Sequence, residues 1–131
     1  MLIDTSTLLR TLQPRHAQHE AATRALEVLP ERGRELHIVP QNLIELWVVA
    51  TRPVEQNGLG LSSAAAATEL RRLKRMLPLL PETPALFQAW ERLVAAMQVH
   101  GLTAILTFDK SGFSRYPGIE VLHPADVIPS A

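Results

Sequence analysis

The 131-residue chain contains no cysteine. Disulfides, thiolate catalysis and cysteine-ligated zinc are therefore excluded, and a reducing compartment such as the cytoplasm is the expected location. Aromatic residues make up only 5% of the chain, too few for a repeated platform on which bases could stack. Neither sign of charge dominates: 13 basic residues face 13 acidic ones. Binding to nucleic acid through net charge alone is thereby disfavoured, while self-association or a charged partner is favoured. With six glycines, there is no Gly-rich phosphate loop. The longest apolar stretch, LIELWVVA, is far too short to span a membrane and carries a carboxylate. No basic region followed by a long apolar run opens the chain, so no signal peptide is expected.

Apolar residues account for 47% of the sequence, enough for a core within one domain over residues 1–131. Short apolar runs alternate with helical patterns. Residues 1–4, 35–40, 79–81, 104–108 and 119–124 read as strands. Residues 6–12 and 16–29 read as helices, the second stopped by Pro30 and Gly33. Residues 41–52 form a helix apolar almost all round, which predicts burial. Ser62 is placed to cap a helix over 62–77 with Leu70, Leu73 and Leu77 facing inward. Pro84 opens a helix that Gly101 ends. This order predicts an α/β fold: three layers, with a parallel sheet of about four to five short strands and helices on both faces.

In such a sheet ligands bind beyond the carboxyl ends of the strands. Asp4 ends the first strand, Glu45 lies one turn into the helix after the second, and Asp109 follows the fourth. Three carboxylates at one edge repel one another unless a cation joins them. An all-oxygen donor set suits Mg²⁺ or Mn²⁺. Such an ion promotes phosphodiester hydrolysis by activating water and neutralising developing charge. Each acid also has an ordinary reading. Asp4 is a fit N-cap, Glu45 stands three residues after Asn42 as in a capping box, and Asp109 opens a DKSG turn. The hydroxyls of Thr5, Ser6 and Thr107 are candidates to bond these carboxylates.

Arg71, Arg72, Lys74 and Arg75 read as a solvated helix face, and Arg10, Arg52, Lys110 and Arg115 as better candidates for phosphate contact. Trp47, Phe87, Trp90 and Phe108 read as core. The five histidines are scattered and none forms an HxxxH pair.

The stretches MLIDTSTLL, QNLIELWVVATRP and AILTFDKSGFSRYPGIEVLHP resemble a PIN domain of the VapC type, the ribonuclease toxin of bacterial toxin–antitoxin pairs. The resemblance extends over nearly the whole chain. It implies Mg²⁺- or Mn²⁺-dependent endonucleolytic cleavage of RNA, a homodimer, and a cognate antitoxin occupying the active-site groove. By motif, Asp4, Glu45 and Asp109 correspond to the family's first, second and last acids. One departure stands out: the family's further aspartate, on the helix before the fourth strand, has no counterpart, since no aspartate lies between Asp4 and Asp109. Trp90 stands about where it belongs, with Glu91 beside it. A step of one helical residue turns a side chain by about 100°, so Glu91 does not simply replace the acid. Two functions are therefore carried forward: a metal-dependent ribonuclease toxin of reduced activity, and a catalytically inactive PIN fold acting by antitoxin or other protein binding.

Overall fold

The computed structural model describes residues 1–83, 93–114 and 117–129. The chain begins with β1 (Leu2–Ile3), α1 (Thr5–Thr11), α2 (His19–Glu31) and α3 (Pro40–Thr51). A short 3₁₀ turn (Val54–Gln56) leads to α4 (Ser63–Met76). After the undescribed segment come α5 (Leu93–Val99), β2 (Ala104–Leu106), α6 (Lys110–Phe113), β3 (Glu120–Leu122) and α7 (Pro124–Val127). Glu91 and the residues Phe87, Trp90 and Arg115 lie outside the described residues.

The strands form a parallel sheet in the order β1-β2-β3. Two single-residue parallel bridges, Leu2 to His37 and Ile38 to Leu79, continue it beyond β1. Two of the expected strands are thus reduced to bridges, and prolines account for it. Pro40 is not the end of a strand but the first residue of α3, so Val39 already serves as its N-cap. Pro78 and Pro81 bracket Leu79 and lack the N–H groups a longer ladder would need.

Alternation along the strands builds the three layers. Ile3, Ile38 and Leu106 point to one face and meet Leu8, Leu26, Leu29, Leu46, Leu73 and Leu77. Leu2, Val39 and Ile105 point to the other and meet Ala96 and Met97 of α5. Each fully buried leucine or isoleucine contributes about 1.5–3 kcal/mol relative to exposure, so the two faces tie the helices to the sheet.

Several local expectations are borne out. Ser62 caps α4, its hydroxyl accepting the Ala65 N–H at 3.1 Å, and Leu73 and Leu77 are buried. Gly101 follows α5 with φ +64°, a conformation that costs glycine little. Others are corrected. Helix α2 continues through Pro30 to Glu31. Helix α3 is not buried all round: Ile44, Val48 and Trp47 are 55%, 45% and 36% exposed, so Trp47 is not a core residue. Buried Asn42, Leu46 and Ala50 mark the inward face, and in the described residues no element covers the outward one. The far end of α3 is held by the chain that follows it. The N–H groups of Leu59, Gly60 and Leu61 donate to the carbonyls of Val49, Arg52 and Ala50. A Cβ on Gly58 would lie 1.9 Å from the Arg52 carbonyl oxygen, so only glycine permits this close return.

Candidate metal and nucleic-acid site

The carboxyl edge of the sheet is where the first turns of α1 and α3 meet the chain leaving β2. Asp4 stands at the N-cap position of α1 with extended φ and ψ, yet its side chain caps nothing. Oδ2 instead accepts from Ser6 Oγ at 2.5 Å and from Thr107 Oγ1 at 2.8 Å. The residue is 9% exposed. The carboxylate is thus held by side-chain hydroxyls, while the Thr7 and Leu8 N–H groups donate to the Asp4 carbonyl instead.

Glu45 does not belong to a capping box. The N-cap of α3 is Val39, and Asn42 is its third residue. Glu45 lies half-buried one turn further on; its Oε2 accepts from Thr5 Oγ1 at 2.7 Å and its Oε1 from Gln41 Nε2 at 2.9 Å. Asp109 does realise its ordinary reading. It caps α6, Oδ1 accepting from Gly112 N at 2.9 Å and Ser111 Oγ at 3.0 Å.

Thr107, which is fully buried, joins two of the three. Its hydroxyl donates to Asp4 and accepts the Asp109 N–H at 3.0 Å. Glu45 connects to the same edge through Thr5, the neighbour of Asp4. The hydroxyls that sequence singled out therefore do bond these acids. Asn42 was read from the sequence only as a cap. It is instead a fully buried link between α3 and β1, and a polar residue inside the apolar run from Val39 to Ala50 was the available signal.

These acids are fixed by neutral hydrogen-bond donors rather than by a charged partner. The described residues hold four ion pairs, Arg24–Glu27, Arg34–Glu120, Arg72–Glu69 and Lys110–Asp126. None involves Asp4, Glu45 or Asp109, whose partners among the described residues are uncharged donors. A neutral donor fixes a carboxylate without cancelling its charge, so attraction for an external cation survives. The donor set is oxygen throughout, as Mg²⁺ and Mn²⁺ require. Among the described residues no three His, Asp or Glu side chains group closely enough to hold one metal ion. Asp4, Glu45 and Asp109, expected to share one ion, are therefore not gathered closely enough to do so together. The oxygen chemistry present suits at most an ion bound through one or two carboxylates, with water and substrate oxygens completing its shell.

The expected phosphate-contact residues divide. Lys110 is paired with Asp126. Arg10 is held by the amide oxygens of Gln13 and Gln18 at 2.6 and 3.2 Å. Arg52 ends α3 beside the exposed apolar stripe. Arg71 and Arg72 on α4 bond Thr68 and Glu69 of their own helix. No helix of the described residues is long and apolar enough to cross a membrane.

Comparison with known proteins agrees with this architecture. No curated protein sequence matches the chain. Among solved structures it is similar to a chain from the crystal structure of VapBC2 from Rickettsia felis bound to a DNA fragment from their promoter. The TM-score is 0.60 at 12% identity, covering 93% of this chain and 96% of that one, a likeness of fold. The PIN domain family model matches residues 1–119, and the chain belongs to the PIN domain family.

Proposed function

We propose that this chain is a Mg²⁺-dependent endoribonuclease, the toxin component of a toxin–antitoxin pair, and one domain throughout. The observation that carries this reading is the hydroxyl-linked edge itself: among the described residues Thr107 joins Asp4 to the Asp109 amide, Thr5 beside Asp4 bonds Glu45, and each of the three carboxylates is fixed by neutral donors. Of the three acids expected to share the ion, Asp4 and Glu45 are the ones that would hold it; Asp109 does not group with them closely enough to complete a three-acid site. When bound, Mg²⁺ supplies charge neutralisation and activation of water at the scissile phosphodiester. Mn²⁺ serves in its place. Ser6 and Thr107 orient Asp4, and Thr5 and Gln41 orient Glu45. The absence of the family's additional aspartate lowers activity without abolishing it, because Mg²⁺ needs few protein carboxylates.

The partners follow from the same reading. RNA is the substrate. The cognate antitoxin is the protein partner, and it occupies the groove at the edge where Asp4 and Glu45 lie. A second copy covers the exposed stripe of α3, and the protein works in the cytoplasm.

A non-catalytic PIN fold acting by protein binding is the second reading. It is favoured by the lack of a three-acid group among the described residues. An RNA cleavage assay at saturating Mg²⁺ separates the two, using the unmutated chain, D4N and an active PIN ribonuclease as control. The first reading expects cleavage by the unmutated chain and a loss of about 100-fold or more in D4N. No cleavage by the unmutated chain, with the control active, selects the second.

A further inference from the structure

We infer that Asn42 and Thr5 are the positioning residues that hold Glu45 in its working orientation, an inference that rests on the hydrolytic reading above. The argument is one of hydrogen-bond direction. Asn42 is fully buried, so its amide must satisfy its atoms within the protein. Its Oδ1 accepts from the Val39 N–H at 2.8 Å, a group that can only donate. Nδ2 is thereby fixed as the donor end, and it reaches the Ile3 carbonyl at 3.1 Å and Thr5 Oγ1 at 3.2 Å.

A hydroxyl has a single proton. Thr5 Oγ1, taking a bond from Asn42, has that proton to give, and it lies 2.7 Å from Glu45 Oε2. The sequence of donors therefore runs one way, from the Val39 amide through Asn42 and Thr5 to the carboxylate. Gln41 Nε2 fixes the other oxygen at 2.9 Å. Both oxygens are located by neutral groups, and each retains a second lone pair for water or a cation. The same Asn42 amide grips the end of β1 next to Asp4, so one buried side chain sets the register between the two acids.

The test compares Thr5→Val, which keeps the side-chain shape and removes the hydroxyl, with Thr5→Ser, which restores it. Binding of Mn²⁺ is measured by calorimetry, RNA cleavage by kcat and KM, and folding by thermal melting. In T5V, Mn²⁺ affinity and kcat fall about 10-fold or more, while KM for RNA and cooperative melting are kept; T5S recovers both losses. Asn42→Asp replaces the donor end by an acceptor that competes for the Thr5 proton, and lowers Mn²⁺ affinity likewise. Mn²⁺ affinity and kcat unchanged in T5V overturn the inference.

Crystal structures of the unmutated, T5V and T5S chains separate this inference from the reading beneath it. No Mn²⁺ signal and no cleavage from the unmutated chain defeat the hydrolytic reading. A Glu45 carboxylate displaced in T5V alone then still supports positioning by Thr5, and one that stays in place in T5V overturns it.

Discussion

Thr107 and Asp4, far apart in sequence, meet at 2.8 Å through hydroxyl and carboxylate. Because Thr107 also takes the Asp109 N–H, one buried side chain spans the gap between the first strand and the turn after the second. Thr107→Val keeps the volume and removes both bonds, leaving a buried carboxylate oxygen and an amide short of partners. The expected cost is about 1–3 kcal/mol of stability, read as a lowered urea midpoint with unchanged slope. A midpoint equal to that of the unmutated chain would mean water replaces the hydroxyl in full.

His37 supplies a pH dependence at the opposite end of the sheet. Its imidazole is held below its ordinary value of 6.5 by burial first, then by the Met1 ammonium and His100, against the opposing pull of Glu35. Its Nδ1 is buried without a partner, as is Nε2 of His100. The neutral ring is thus favoured in the folded state, and below pH 6.5 the unfolded chain takes up the proton first. The contribution to stability is whole above 6.5 and declines as pH falls from there toward the folded-state value. Urea midpoints measured between about pH 5 and 8 are expected to drop on the acid side, and His37→Gln is expected to flatten that drop. A decline of undiminished steepness in the variant would assign it to other groups.

Ile44, Trp47 and Val48 form an exposed apolar stripe on α3. An apolar stripe on a chain of zero net charge invites a second copy, since no long-range repulsion opposes it. If the proposed dimer uses this stripe, the unmutated chain sediments as a dimer and Ile44→Glu as a monomer in analytical ultracentrifugation, with melting little changed because the side chain is already solvent-facing. An unmutated chain that sediments as a monomer, or a variant that sediments as a dimer with it, would remove this stripe as the interface.

Much of this molecule is written locally. Alternating short apolar runs and helical spacing were enough for the layered parallel sheet, and Ser62 and Gly101 mark helix ends by chemistry confined to a few neighbours. What sequence hid depends on tertiary context. Pro30 stands inside the last turn of α2, contrary to its usual role as a terminator. The apolar periphery of α3 suggested burial, but composition cannot tell an inward face from one awaiting a partner. Glu45 matched a capping spacing only so long as the helix start was misplaced: Pro40 at the first position shifts the cap to Val39 and frees Glu45 for Thr5. That Asp4 and Asp109 follow strand ends was legible, whereas the hydroxyls that fix the acids, and the lack of a three-acid group among the described residues, required the fold.

The return of the chain over the end of α3 has a kinetic corollary. Loop amides ordinarily trade their hydrogens with solvent in a moment, but those of Leu59, Gly60 and Leu61 are sealed onto helix carbonyls. In deuterated water these three would lose protium at the pace of α3 itself, so that the loop and the helix open as a single unit.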